Sequence, residues 1–466
     1  MKTLLPLHSK IFNAMIIEFV IKNFLSFKNE TIFSMSAAKS VKECCNFENG
    51  ISNVQEIEGT NQRIVKVASV YGANGSGKSN LVKAMSFFRT MILNSFKNDH
   101  ILTGFFANRF LLDTISEKES IGFEMTFIID KTIFRYGFEI LDDKVDSEWL
   151  FQQEPDSQKE SYCFKRNKAE IQINNRTFRV AKEAEIATRN NALFLSTAAI
   201  YNSSTAIKLK DWFTSHFNII SGINDTTLNF TAEQYKNNDE MRHRILDFIK
   251  IIDLGIRNIS VEETLIDSIS ESTIIPNDPM IRKIVGSMAD AMIPSGNKIK
   301  EIDIKAIHDK YDNEEIVGET SFPFNNESVG TRKIFALLGP WFDTLARGGV
   351  LIVDEFGASI HTKLAIELIR LFQSKLNNSL AQLVVTTHDT NILRKDLLRR
   401  DQIWFTEKDA KGASDLYSLV EYKINQATSV RNDASFGKDY LLGKYGAIPY
   451  FGNMDKFISD FCDDGK

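Results

Sequence analysis

Apolar and polar positions alternate from Ile17 to Lys22, with Ile17, Phe19 and Ile21 on one face, and that period predicts a strand. A second strand over 31–35 would close an edge hairpin with it. Residues 36–62 are polar and irregular and read as a loop-rich connection. Ile64–Tyr71, rich in Val and Ile, reads as one further strand. The period then changes. Leu81, Met85, Phe88 and Met91 or Ile92 recur at helical spacing, so a helix opens near Lys78. Runs at 121–129 and 132–141 flank Asp130-Lys131 and predict a hairpin. Segments 161–164 and 171–180 continue the β character beyond a charged, Gln-rich loop at 152–160. Ala192–Ile200 is small and apolar. Met241, Ile245, Phe248 or Ile249 and Ile252 form one stripe on a helix predicted over 231–252. Turn formers mark a boundary at 269–279, and a second helix is predicted over 280–293.

Beyond residue 323 the pattern is different. Ile334, Leu337, Leu338 and Trp341 give a helix, and Gly348-Gly349 ends it. Val350–Val353 then runs unbroken into Asp354-Glu355. Ala365, Ile369, Phe372 and Leu376 form a helical stripe, and Leu383–Thr387 runs into His388. Unbroken apolar strands joined by an amphipathic helix describe a parallel sheet buried on both faces. The expected class is therefore α/β with a mostly parallel core sheet.

The 466 residues suffice for two to four domains on the length prior. Hydrophobic content of 43% and charged content of 25% are those of an ordinary globular chain, and the 35 Phe residues read as core filling. A net charge of −5 argues against a sequence-blind nucleic-acid coat, although a local basic surface fits inside that average. The four cysteines, Cys44, Cys45, Cys163 and Cys462, lack metal spacing and read as free thiols of a cytoplasmic protein. Cys44-Cys45 reads as a buried or incidental pair. No apolar run approaches the ~18 residues a membrane span needs. Leu4–Leu7 is too short for a signal segment, and Met15 offers an alternative start.

Chemistry enters at Gly72-Ala73-Asn74-Gly75-Ser76-Gly77-Lys78-Ser79, which fits the phosphate-cradling P-loop between a strand and a helix. Gly72, Gly75 and Gly77 allow tight bending and bring bare N–H groups to an anion, at which the helix points its positive end. Lys78 would reach the β- and γ-phosphates and Ser79 would ligate Mg²⁺. Four apolar residues ending in two acids fit the Walker B pattern. Asp354 would hold the Mg²⁺ shell, and Glu355 would polarise the attacking water as general base. His388, at the end of the next strand, would contact the γ-phosphate. Glu327-Ser328-Val329-Gly330-Thr331 reads either as a degenerate signature presenting Ser328 and Gly330 to a γ-phosphate, or as a helix N-cap.

The order of these stretches, with Ile17–Phe27, Leu193–Ala199, Arg400–Phe405 and Tyr440–Pro449, resembles the ABC-type ATPase head of RecF, SMC and OLD proteins. Within that group it is most similar to RloA/AbiLi-type ATPases. The resemblance covers nearly all of 15–452. It implies head halves at 15–95 and 321–452, a β-rich lobe at 96–230, a helical insertion at 231–320 and a tail at 453–466. It places ATP on Gly72, Asn74, Gly75, Ser76, Gly77, Lys78, Ser79 and Asn80. Ser328 and Gly330 would act in trans across a homodimer or higher homo-oligomer. Ser359 and His361 fall where an ABC-type D-loop would lie, and Gln152 and Gln153 are Q-loop candidates by order. The signature lacks the usual second glycine.

RloA-like proteins are similar to the ATPase subunits of anti-phage systems such as PARIS. This implies a separate effector, a Toprim-type nuclease or a toxin, and DNA or a phage protein as trigger. The alternative is a RecF-like DNA-repair ATPase that binds DNA directly; Arg394, Lys395, Arg399 and Arg400 form a short basic cluster, which reads more simply as a solvated helix face. A built-in Toprim nuclease is not expected, because the 78 residues after His388 lack its acidic pattern.

Overall fold

The computed structural model describes residues 14–41, 52–222, 225–252, 254–266, 299–374, 377, 379–424, 428–430 and 434–449. The predicted boundary at 269–279, the helix at 280–293, Leu376, Cys44, Cys45 and Cys462 lie outside them. The chain divides into two compact units, one of Met1–Gly222 with Thr344–Lys466 and the other of Ile223–Asp343.

The first unit is built on two sheets. In the six-stranded sheet the order is Phe217–Ser221, Val350–Asp354, Gln382–Thr386, Val67–Gly72, Ile403–Lys408 and Ser414–Ser418. The first five are parallel neighbours and the last pair is antiparallel. Every residue of Val67–Gly72, Val350–Asp354 and Gln382–Thr386 is buried, which is why these strands read as continuous apolar runs rather than alternating ones. Parallel pairing brings the carboxyl ends of all three to one edge of the sheet, the edge where open α/β sheets take ligands.

The seven-stranded antiparallel sheet runs Glu170–Ile173, Ser161–Asn167, Lys144–Gln153, Thr132–Leu141, Ile121–Ile129, Ala14–Lys22, Thr31–Ser34. The predicted N-terminal hairpin is thus one edge of a sheet whose other strands come from the β-rich segment. Asp130 and Lys131 both have positive φ (49° and 71°), as a two-residue hairpin turn of this hand requires. Asp142-Asp143 turns the next hairpin in the same way, at 48° and 58°. Helix Lys78–Asn94 ties the two sheets together. Its buried face carries Leu81, Met85 and Phe88. Phe88 meets Phe19, Tyr136 and Phe138 of the antiparallel sheet at ring-centroid distances of 5.6, 5.8 and 5.3 Å. The phenylalanine richness therefore fills the layer between this helix and the antiparallel sheet. Gln382, fully buried, joins the sheets directly. Its Oε1 accepts from Ile16 N at 2.6 Å and its Nε2 donates to Ile16 O at 3.1 Å. These bonds take up backbone groups beside the bulge between Ile16 and Glu18, where the ladder skips a residue.

Several expectations need correction. The single strand expected at 64–71 is two, Arg63–Val65 and Val67–Gly72, and they belong to different sheets. The break falls at buried Lys66, whose Nζ donates to Ser374 O at 3.2 Å. The strand expected at 171–180 ends at Ile173, where Asn174 O accepts from Thr177 N and Phe178 N and closes a turn. Lys144–Gln153 was not predicted. Its alternation is hidden because one inward position is the carboxylate Glu148, 1% exposed. Glu148 accepts from Tyr136 OH at 2.9 Å and from Phe194 N and Leu195 N at 2.6 and 2.9 Å, so it holds the start of helix Phe194–Ile200. The stretch 96–230 supplies five strands of the antiparallel sheet, and its last strand, Phe217–Ser221, enters the parallel sheet.

In the second unit, the helix expected over 231–252 is two, Asp225–Asn237 and Asp239–Ile251. Asn238 divides them by accepting Met241 N at 3.1 Å as an N-cap. The helical insertion expected at 231–320 also holds a three-stranded antiparallel sheet of Asn258–Ile266, Ile299–Asp312 and Glu315–Pro323. The last strand is almost wholly exposed, so no buried face imposes a period on its sequence. Among the described residues no helix is long and apolar enough to cross a membrane.

Candidate functional site

Asn74, Gly75, Gly77, Lys78, Ser79, Asn80, Glu355 and His388 line one cleft of about 350 Å³. Three stretches, the first of them hundreds of residues before the other two, thus converge at the carboxyl edge of the parallel sheet.

The loop's shape follows from its glycines. Gly75 has φ 75° and open space where a Cβ would point. Gly77 has φ 124°, and a Cβ there would lie 2.6 Å from Ser414 Oγ. A hydroxyl network fixes the loop from outside. Ser76 Oγ lies 2.6 Å from Thr406 Oγ1, and Ser414 Oγ donates to Ser76 O at 2.6 Å. Asn80 Nδ2 donates to Ser26 Oγ at 2.8 Å, and Ser26 Oγ is also 2.7 Å from Ser414 Oγ. Thr406, Ser414 and Ser26 were not singled out in the sequence. Ser26 alone left a trace, inside Ile17–Phe27.

Lys78 is 6% exposed, and its Nζ donates to Gly72 O and Ala73 O at 2.8 and 3.0 Å, across the mouth of the loop. Burial pulls its pKa down to about 8, opposed by the carboxylates of Asp354 and Glu355. Ser79 Oγ donates to Asp354 Oδ1 at 3.3 Å. This pair offers the hard oxygen donors that Mg²⁺ takes, one carboxylate and one hydroxyl, with room left for phosphate oxygens and water.

The acidic pair is held by a residue that the sequence reading passed over. Thr386, fully buried, donates from Oγ1 to Asp354 Oδ1 at 2.5 Å and accepts Glu355 N at 2.9 Å. Ser221 Oγ reaches Asp354 Oδ2 at 3.5 Å. Glu355 has φ 54°, a left-handed conformation that costs of order 1 kcal/mol for a residue with a Cβ. That turn takes the chain out of the strand immediately after Asp354, so Asp354 stays buried while Glu355 is exposed in the cleft. His388 is exposed on the cleft wall. Burial and the charge of Lys78 press its pKa below the ordinary value, against Glu355 and Asp354.

Other expected residues lie elsewhere. Gln152 and Gln153 end a strand of the antiparallel sheet, bonded to Glu154 and Ser157, and neither lines the cleft. Ser359 is exposed with φ 62°, and His361 Nδ1 accepts Lys363 N as the N-cap of helix Thr362–Gln373. Ser328 belongs to the second unit. Its Oγ accepts Thr331 N at 3.0 Å, the N-cap geometry, at the start of the helix Val329–Arg347 that carries Gly330. Of the basic cluster, Arg394 and Lys395 are exposed and Arg399 is buried. Arg399, 1% exposed, forms two bonds to Asp401 at 2.9 and 2.7 Å, Arg394 binds Asp396, and Arg400 donates to Val430 O.

No curated protein sequence matches the chain. Among solved structures it is similar to the SMC head domain from Thermotoga maritima, at 12% identity and a TM-score of 0.40, over 86% of this chain and 98% of that one. It is similar to an SmcHead bound to the C-winged helix domain of ScpA, at 12% identity and 0.40, over 86% and 97%. A third is an Smc head domain with an extended coiled coil bound to the C-terminal domain of ScpA derived from Pyrococcus furiosus, at 12% and 0.35, over 89% and 98%. The family model described as "AAA domain, putative AbiEii toxin, Type IV TA system" matches residues 67–394. That match runs from the P-loop strand through His388 and spans most of the sequence, and the chain belongs to this AAA domain family.

Proposed function

We propose that this chain is an ATP hydrolase of the ABC class. The observation that carries the reading is the convergence of Lys78, Ser79, Glu355 and His388 on one cleft. In this reading the loop N–H groups and Lys78 grip the β- and γ-phosphates. Ser79 and Asp354 hold Mg²⁺, which supplies neutralisation of phosphate charge. Glu355 takes the proton of the attacking water, and Thr386 keeps Asp354 and Glu355 in register. His388 offers its imidazole, neutral or protonated, for one hydrogen bond at the γ-phosphate.

Ser328 and Gly330 complete the site in trans from a second copy, so that ATP closes a homodimer and hydrolysis opens it. The ATPase then serves as sensor and scaffold of a bacterial anti-phage system of the RloA/AbiLi type with a separate nuclease or toxin effector. The toxin–antitoxin wording of the family description supports a conflict system over DNA repair. Burial of Arg399 against Asp401 also takes that residue out of the basic cluster on which the repair reading relies. The test is Lys78→Ala. Loss of ATP binding and turnover is expected, and unchanged turnover by this variant overturns the assignment.

A further inference from the structure

In the second unit the helix Val329–Arg347 begins beside a carboxylate. Glu327 stands one residue before the N-cap Ser328, and its Oε1 lies 2.8 Å from Nε2 of His308. A carboxylate only accepts, so Nε2 carries the hydrogen and donates it. The Glu327 and His308 side chains are 14% and 23% exposed, so the pair is largely out of bulk water. His308 comes from strand Ile299–Asp312, and its ring meets Phe322 of strand Glu315–Pro323 at 5.6 Å with planes 62° apart. In the ladder His308 opposes Thr320, two residues from Phe322, so ring and phenylalanine share a face. The neighbouring acids Asp309 and Glu319 both bond to Arg257, at 2.5 and 3.1 Å. The ion pair that Glu327 makes among the described residues is the one with His308.

The place of Glu327 matters because of what this helix end is read to meet. The positive end of a helix favours an anion, and Ser328 is exposed there. Glu327 brings a carboxylate to the same end, where its charge repels an arriving γ-phosphate of the same sign. Such repulsion grows when an interface closes and water leaves. The hydrogen bond from His308 draws charge off the carboxylate, and a protonated ring cancels it. Val329 and Phe322, on either side of this pair in the sequence, are 53% and 43% exposed, surface that a second copy of the chain would cover.

We propose that His308 is a positioning residue that masks Glu327, so that Ser328 and Gly330 accept the γ-phosphate held by a second copy of this chain. The inference rests on the reading of Ser328 and Gly330 as completing the nucleotide site in trans, and the test separates the two. The full chain carrying Glu355→Gln is the parent, compared with the same chain carrying also His308→Ala, Glu327→Gln or both. Dimer affinity at saturating ATP with Mg²⁺ is measured by sedimentation, and ATP affinity by titration at protein concentrations where the chain is monomeric. Glu327→Gln, close in shape to the parent residue, is expected to tighten the ATP dimer about tenfold, and His308→Ala to weaken it about tenfold. The double variant should match Glu327→Gln, because without the acid nothing is left to mask. ATP affinity of the monomer should be unchanged in all of them. If Glu327→Gln weakens the dimer as His308→Ala does, the pair is a structural tie between sheet and helix and the inference is overturned. A change of less than about twofold in either single variant, or a double variant as weak as His308→Ala, overturns it as well. A parent that binds ATP yet stays monomeric overturns the trans site and this inference with it, while the phosphate cleft stands. A parent that binds no ATP overturns the cleft reading itself.

Discussion

Thr386 is where the geometry makes its most specific demand. Its hydroxyl donates to Asp354 Oδ1 at 2.5 Å and accepts the N–H of Glu355 at 2.9 Å, with no solvent exposure. Thr386→Val keeps the shape of the side chain and removes both bonds. A neutral hydrogen bond contributes roughly 1 kcal/mol and one to a charged group about 1.5–3, so the expected loss of stability is about 2–4 kcal/mol. Asp354 keeps Ser79 and Ser221, so the loss should fall toward the lower end. The kinetic effect is larger than the loss of one bond. Without the bond to its N–H, Glu355 is no longer fixed in its left-handed turn, and its carboxylate drifts from the water it activates. Misplacement of a catalytic group by about 1 Å costs on the order of 100-fold.

The assay is steady-state ATP hydrolysis together with urea unfolding, for Thr386→Val and Thr386→Ser. The Val variant should lose kcat by tens-fold to about 100-fold with little change in KM, because phosphate binding by Lys78 and the loop is untouched. The Ser variant keeps the hydroxyl and should recover most of the rate. If Val lowers stability as calculated but leaves kcat within about twofold, Thr386 is a structural residue only and the positioning argument is refuted.

Other outcomes follow from the same site. Glu355→Gln should bind ATP with near-parental affinity yet turn it over slowly, and sizing with ATP should show a trapped dimer; a monomer at saturating ATP counts against the shared site. Burial lowers the Lys78 pKa to about 8, so between there and the ordinary lysine value the unfolded chain holds a proton that the folded chain has released. Stability of the nucleotide-free protein should therefore rise with pH across that window, a slope that Lys78→Met removes in urea titrations. ATP binding restores the charged form, so calorimetry in buffers of different ionisation enthalpy near pH 8 should show proton uptake. Gly77→Ala places a methyl 2.6 Å from Ser414 Oγ at φ 124° and should abolish nucleotide binding in titration calorimetry.

What could be read in advance follows from burial on both faces. Val67–Gly72, Val350–Asp354 and Gln382–Thr386 are buried throughout and mostly apolar, so their strands and the residues at their carboxyl ends were legible. The acids and the histidine were found because a motif fixes their place at the end of such a run. The strand Lys144–Gln153 was lost because buried Glu148 occupies an inward position, satisfied by a tyrosine and two backbone groups distant in sequence. The split at Asn238 and the turn at Asn174 were lost because each depends on one side-chain or backbone bond that an apolar stripe does not encode. Arg399 reads as a surface charge until Asp401, two residues on, is seen folded back on it. Thr386, Thr406 and Ser414 are small hydroxyl residues whose role depends on partners far along the chain, and nothing local marks them.

The hydroxyl network also bears on what the site requires. The family match spans 67–394, yet the residues that shape the loop from outside are Ser26, Thr406 and Ser414. Thr406 and Ser414 lie on the two strands that close one edge of the parallel sheet, and Ser26 follows the first strand of the antiparallel one. A P-loop motif supplies flexible glycines, and flexibility alone does not select the conformation that aims N–H groups at an anion. Here the selection comes from hydroxyls on either side of the matched region, acting on Ser76, Gly77 and Asn80. The shape of the glycine loop is thus set by the first unit rather than by the motif alone, and residues on both sides of the matched region take part in it.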